Sequence, residues 1–179
     1  RIHRILNGAV MQQAIIDAMT RPAEGKPWSE YRPIFLTPQR IAGGVKFWRE
    51  HAAMLEPVAE TYGVPAQIIV AIIGVETAYG ANTGRWRVLD ALATLAFHYP
   101  PRAAYFRGEL KRLLLLEEQF PVPLDELKGS YAGAMGLGQF MPTSYATWAV
   151  DHDGDGAIDL WNDDGDIFAS VANYFVAHG

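Results

Sequence analysis

The sequence predicts a mainly α protein, and three observations predict it. Apolar residues recur at helical spacing through most of the chain. Threonine, proline and glycine stand where helices start and stop, as in Thr37-Pro38 and Gly63. No segment alternates apolar and polar residues over enough length to propose a sheet. At 179 residues the chain is one domain, or one with a small appendage, and long enough for a real core.

The elements follow in order. Residues 1–20 read as helical, with Ile5, Val10, Met11, Ile15, Ile16 and Met19 at helical spacing. Arg21 to Trp28 is a Pro/Gly connector, and Tyr31 to Leu36 reads as extended or irregular. Thr37 is the N-cap of the next helix and Pro38 its first residue. That helix carries Ile41, Val45, Phe47, Trp48, Met54, Leu55 and Val58 to about Tyr62, where Gly63 closes it. Pro65 opens a helix to about Thr77. Its run Ile68-Ile69-Val70-Ala71-Ile72-Ile73 is apolar on nearly every face, the mark of a core helix.

Gly80 to Trp86 is a loop, and Asp90 reads as the N-cap of a short helix to Phe97 that Pro100-Pro101 breaks. Residues 102–119 are amphipathic, with Phe106, Leu110, Leu113 and Leu114 inward. Arg107, Glu109, Lys111, Arg112, Glu117 and Glu118 lie on the solvated side. Pro121 to Gly129 is a connector. Pro142 starts a short helix to about residue 150. An Asp/Gly loop covers 151–166, and a last helix, 167–178, carries Ile167, Val171, Tyr174 and Phe175 on one face.

Composition removes several function classes. The net charge is -5 with no basic tail or stripe, which argues against a nucleic-acid partner. The longest apolar run falls far short of the ~20 residues of a membrane span. No signal-peptide pattern opens the chain, so a cytosolic or a processed exported form is expected. Cysteine is absent, which excludes disulfides, thiol catalysis and thiolate metal sites. Aromatic content of 12% serves a core but also suits stacking on sugars.

Three motifs carry chemistry. Glu76 is the first charge after Pro65, at the end of the apolar helix. Desolvation there raises a carboxyl's pKa, and a carboxyl that keeps its proton near neutral pH is a general acid. The competing reading is a surface cap or a partner for an arginine. The segment 132–138 packs three glycines and two alanines into seven residues. Something must approach that backbone closely, either another helix or a ligand, and Ser130 and Gln139 flank it with polar groups.

The third motif, Asp151-His152-Asp153-Gly154-Asp155-Gly156-Ala157-Ile158-Asp159, fits the opening of an EF-hand loop. Asp151, Asp153 and Asp155 supply side-chain oxygens and Ala157 its carbonyl. The closing Glu is replaced by Asn162, which cannot chelate bidentately, so Asp163, Asp164 or Asp166 must close the site. All-oxygen ligands favour Ca²⁺. Zinc-protease, serine-hydrolase and phosphate-loop templates all fail. No partner acid for Glu76 stands out, since Asp90 and Glu109 are the nearest candidates and neither is compelling. A lone acid suggests that the substrate supplies the second group.

Several segments together resemble the MltB-type lytic transglycosylases, the membrane-bound lytic murein transglycosylase B family of bacteria. They are Gly74-Val75-Glu76-Thr77, Leu89 to Leu95, Gly129 to Gly136, Gly138-Gln139-Phe140-Met141-Pro142 and Ser170 to Phe175. The resemblance runs from about Arg21 onward with nearly constant spacing. It implies a lysozyme-like helical core, with goose-type lysozyme the nearer relative. On this reading 1–64 is an N-terminal helical segment packing on a catalytic core, 65–179, that includes the calcium loop 151–166.

The resemblance also implies an activity. The substrate is peptidoglycan, cut at the β-1,4 bond between N-acetylmuramic acid (NAM) and N-acetylglucosamine (NAG) to leave a 1,6-anhydro end. Glu76 matches the family's single acid and base. Ser130, Gln139, Tyr31 and Tyr174 match groove residues, and Arg102 one of two arginines that meet the stem peptide; the other is Pro101 here. Asp166 matches the late ligand of a structural Ca²⁺ site, in a loop one residue longer than the family's, and no organic cofactor is implied. The expected partners are glycan strands and other cell-wall enzymes, the expected state a monomer, and the expected place the bacterial periplasm, in solution or on the outer membrane through a lipid anchor outside this chain. Members continue past Gly179 with helices that complete the groove. A hydrolytic muramidase and a non-catalytic peptidoglycan-binding domain are the alternative readings.

Overall fold

The computed structural model describes residues 1–21 and 25–179; Pro22, Ala23 and Glu24 of the connector lie outside the described residues. The helices are α1 (Ile2–Asn7), α2 (Gln13–Thr20), α3 (Trp28–Phe35), α4 (Pro38–Tyr62), α5 (Ala66–Thr77), α6 (Val88–His98), α7 (Ala103–Leu115), α8 (Pro142–Trp148) and α9 (Asp164–Ala177). Two-residue strands β1 (Trp86–Arg87) and β2 (Lys128–Gly129) pair antiparallel, Trp86 opposite Gly129 and Arg87 opposite Lys128. They are too short to leave an alternating pattern in the sequence.

The core forms around α5 and α6. Ile69 and Ile73 of α5 and Leu92 and Leu95 of α6 are fully buried. Each such side chain contributes roughly 1.5–3 kcal/mol by leaving water. α4 packs along α5 and α9, and α6 packs on α2 and α7. Ile15, Phe47 and Leu55 join the same core cluster as the residues after Val64.

The α4 boundaries are those expected. The Thr37 hydroxyl accepts from Arg40 N at 3.1 Å, and Gly63 takes φ 65°. Its buried stripe is Gly44, Phe47, Leu55, Val58 and Ala59. Ile41, Val45 and Met54 fall off that stripe and are exposed.

Four expectations are corrected. Residues 1–20 form two helices, broken from Gly8 to Gln12. There the chain lies across α6, where Val10 N donates to Asp90 Oδ1 at 2.8 Å and Gln12 N to Thr94 Oγ1 at 3.1 Å. Asp90 is therefore no N-cap: Arg87 holds that position, and Asp90 is buried inside α6. Tyr31 to Phe35 is helical although Pro33 removes one backbone donor; Trp28–Tyr31 and Tyr31–Phe35 ring contacts, at helical spacing, support it. Glu109 is buried rather than solvated, because α8 covers it. It accepts from Thr143 N at 2.9 Å and Thr143 Oγ1 at 2.6 Å.

Candidate active site

Glu76 sits in the last turn of α5, and that turn is held from several directions. Thr77 Oγ1 donates to Leu137 O at 3.0 Å and accepts from Gly80 N at 3.1 Å. Thr77 O accepts from Asn82 N at 2.9 Å. Ala78 and Tyr79 then take φ 52° and 61°, so the chain reverses sharply. The reversal drives the Tyr79 ring between α4 and α5. A Cβ on Gly74 would lie 2.6 Å from that ring, and one on Gly44 2.7 Å from its hydroxyl. The Arg40 guanidinium donates to Gly74 O, two residues before Glu76.

Two cavities meet at Glu76. One, of about 350 Å³, is lined by Ile72, Phe140, Met141, Tyr174 and Phe175. The other, of about 710 Å³, is lined by Tyr31, Phe35, Trp86, Ser130 and Tyr131. Glu76 and Gln139 line both, so the two are lobes of one groove. Among the described residues lining either lobe, Glu76 is the only carboxylate. Its side chain is exposed, in contrast to the poorly hydrated carboxyl expected from its helix. α5 is not apolar-packed all round: Gln67, Ala71 and Val75 lie open, and Glu76 follows on that side.

The flanking polar groups are pre-set. Gln139 takes φ 54°, and its Nε2 donates to Gly136 O at 3.0 Å and Thr83 O at 3.2 Å. That leaves its carbonyl oxygen for a ligand. Ser130 Oγ accepts from Ala132 N at 3.2 Å and Ala134 N at 3.1 Å, so its hydroxyl proton remains to be donated. The glycine segment resolves toward packing. Gly133, at φ 85°, sits against the Leu92 side chain, and Gly136, at φ 71°, against the Leu160 backbone.

Tyr31 and Tyr174 line opposite lobes. Tyr174 stacks on His178, ring centroids 4.0 Å apart. Arg102 lines neither lobe; its guanidinium lies over the rings of Tyr105 and Phe106, 4.5 and 5.1 Å from their centroids. Sequence reasoning missed Phe35, Trp86, Met141 and His178. Trp86, a bulky aromatic closing a glycine-containing loop, was the readable signal.

The acidic loop brings part of its predicted set together. Ligand atoms of Asp151, Asp153 and Asp155 lie within 4.8 Å of one another. Three convergent carboxylates fit a hard, oxygen-seeking cation. Asp166 has another place, in the first turn of α9 and buried. One carboxylate oxygen accepts from His152 N at 2.7 Å and the other from Asp159 N at 2.8 Å. Burial holds this carboxyl's pKa above its ordinary value, with the two amides offsetting part of the rise. The Ala157 amide donates to Asp155 Oδ1 at 2.8 Å.

Residues 1–179 match the family model described as Transglycosylase SLT domain. The chain is 55% identical over 153 residues to membrane-bound lytic murein transglycosylase B of Escherichia coli K12, covering 85% of this chain and 42% of that protein. Similar solved structures include the following three. Soluble lytic transglycosylase SltB1 from Pseudomonas aeruginosa matches at TM-score 0.92 and 54% identity, over 99% of this chain and 60% of that one. The Escherichia coli lytic transglycosylase Slt35 in complex with calcium matches at 0.90 and 48%, over 99% and 57%. SltB3 from Pseudomonas aeruginosa in complex with NAG-NAM-pentapeptide matches at 0.90 and 37%, over 98% and 47%. The chain thus spans about half the length of these relatives. The likeness bears out the mainly α, lysozyme-like fold expected from the sequence.

Proposed function

Since the chain belongs to the transglycosylase SLT domain family, we propose that it is a peptidoglycan lytic transglycosylase with Glu76 as its single acid and base. The observation that carries this reading is the lone carboxylate where the lobes meet. An ordinary glycosidase needs a second carboxyl about 5–9 Å away, as nucleophile or as base for water. Asp90 and Glu109, the two candidates read from the sequence, are buried and committed to Val10 N and to Thr143.

The steps balance without water. Protonated Glu76 donates its proton to the glycosidic oxygen as the bond from that oxygen to muramic acid C1 breaks. The leaving sugar departs with a free 4-hydroxyl. The substrate's N-acetyl group stabilises the positive charge at C1. The O6 hydroxyl of the same residue then bonds to C1, and its proton returns to the Glu76 carboxylate. The product is a 1,6-anhydromuramyl end.

The remaining groups have supporting roles in this reading. Gln139 and Ser130 orient the sugar on either side of the cut, and Tyr31 and Tyr174 offer ring faces. Arg102, outside both lobes, would meet only a stem peptide that leaves the groove. Asp151, Asp153 and Asp155, with the Ala157 carbonyl, would hold a structural Ca²⁺, with Asp166 bracing the loop. The calcium complex of the Slt35 relative supports this ion. A core at 65–179 with 1–64 packed on it, a periplasmic location, in solution or on the outer membrane through a lipid anchor outside this chain, and a monomeric state complete the proposal; the relative's name, membrane-bound, is consistent with the attached form. Among the described residues no single helix is long and apolar enough to cross a membrane.

The experiment is mass analysis of fragments released from purified peptidoglycan. Anhydro ends are expected, and Glu76→Gln should release none. Reducing ends would identify a hydrolase instead, and no release by the wild type would leave a binding domain.

A further inference from the structure

The larger lobe holds a cation that the bond-breaking chemistry does not use. Arg85 lines it together with Ser130 and Glu76. Among the described residues lining either lobe, Arg85 is the only arginine or lysine. Its guanidinium lies over the Trp86 ring, 5.3 Å from the centroid. Its side chain is exposed, and no ion pair with it is present among the described residues.

The backbone fixes this position from both sides. Gly84 takes φ 98°, and a Cβ there would fall 2.0 Å from the Gly129 carbonyl. Trp86 pairs with Gly129 in the β1–β2 ladder. Arg85 is thus pinned beside the strand that leads into Ser130. A guanidinium lying on an indole face keeps its N–H edge for an acceptor in its own plane. A carboxylate matches that edge with two parallel hydrogen bonds.

We infer that Arg85, presented on Trp86, forms a carboxylate-binding subsite for the muramyl substituent of the glycan. The inference rests on the transglycosylase reading of this groove. The carboxylate has two sources. In strands without peptide it is the lactyl carboxylate of NAM, and in peptide-bearing strands it belongs to the stem peptide. The subsite gives the groove a way to read which sugar carries a substituent, since NAG has no carboxylate. It also supplies a positive charge inside the groove, where Arg102 does not.

The test is calorimetric binding at low ionic strength in a Glu76→Gln background, so that no ligand is consumed. The probes are chitotetraose, a NAG-NAM tetrasaccharide with free lactyl carboxylates, and the same tetrasaccharide carrying pentapeptides. Adding Arg85→Gln should weaken one or both carboxylate-bearing probes about tenfold or more relative to chitotetraose. Adding Arg85→Lys should recover part of that difference, as a point charge without the planar fork. Loss on the pentapeptide probe alone assigns the carboxylate to the peptide, and loss on the stripped probe assigns it to the lactyl group. Equal change on all three probes, or none on any, overturns the subsite. If the wild type binds selectively through Arg85 yet releases no anhydro fragments, the reaction reading fails and the subsite stands.

Discussion

The Tyr79 hydroxyl donates to the main-chain carbonyl of Arg40 at 2.9 Å, tying the residue that follows the Glu76 turn to the start of α4. The Arg40 guanidinium answers with a bond to Gly74 O. The two residues clasp the end of α5 from opposite ends of one contact, and the ring between them fits only because Gly43, Gly44 and Gly74 lack side chains.

Gly74→Ala should therefore be costly, although alanine favours a helix. Overpacking at this depth costs about 1–3 kcal/mol, and moving the Tyr79 ring disturbs the turn that carries Glu76. Gly108→Ala is the control, because a Cβ there meets nothing within 4 Å. It should stabilise α7 by up to about 1 kcal/mol. Urea unfolding of both variants checks this, and equal effects of the same sign would refute the wedge.

Glu109 offers a second test. It is 2% exposed and accepts two hydrogen bonds from Thr143. Glu109→Ala leaves the half-buried amide and hydroxyl of Thr143 without their acceptor, at about 1–3 kcal/mol. Thermal unfolding should show that loss. Cleavage by the folded fraction should keep its anhydro product, because Glu109 does not line the groove.

Asp90 holds the N-terminal crossing. Asp90→Ala removes the acceptor for Val10 N. Hydrogen exchange at Val10 and nearby amides should speed up by at least tenfold, while amides of α5 keep their protection. Uniform acceleration across the chain would mean global destabilisation instead of a local anchor.

The acidic loop predicts a linkage. Ca²⁺ at about a hundred times its dissociation constant should add about 2.7 kcal/mol of stability, read as a higher melting temperature that EDTA reverses. Asp153→Ala should remove the response. A melting curve indifferent to both reagents would sink the calcium site.

How much of this was legible follows from what each residue obeys. Thr37, Pro38 and Gly63 act on their own neighbours, so the α4 boundaries could be read locally. Glu76 stood out because its helix is otherwise uncharged. Asp90 and Glu109 were misread because their partners, Val10 and Thr143, lie 80 and 34 residues away, and nothing local marks a carboxylate that tertiary structure buries. The break at Gly8–Gln12 has the same cause: it exists to meet α6. The glycine segment showed that something must come close, but the sequence alone could not say that Leu92 and Leu160 were what came.

Asp166 reaches back 14 residues to His152 and 7 to Asp159. Both grips come from the first turn of α9, so the acidic loop is tied to that helix at two points. A change that unwinds the first turn of α9 would therefore loosen two points of the acidic loop at once, without touching Asp151, Asp153 or Asp155.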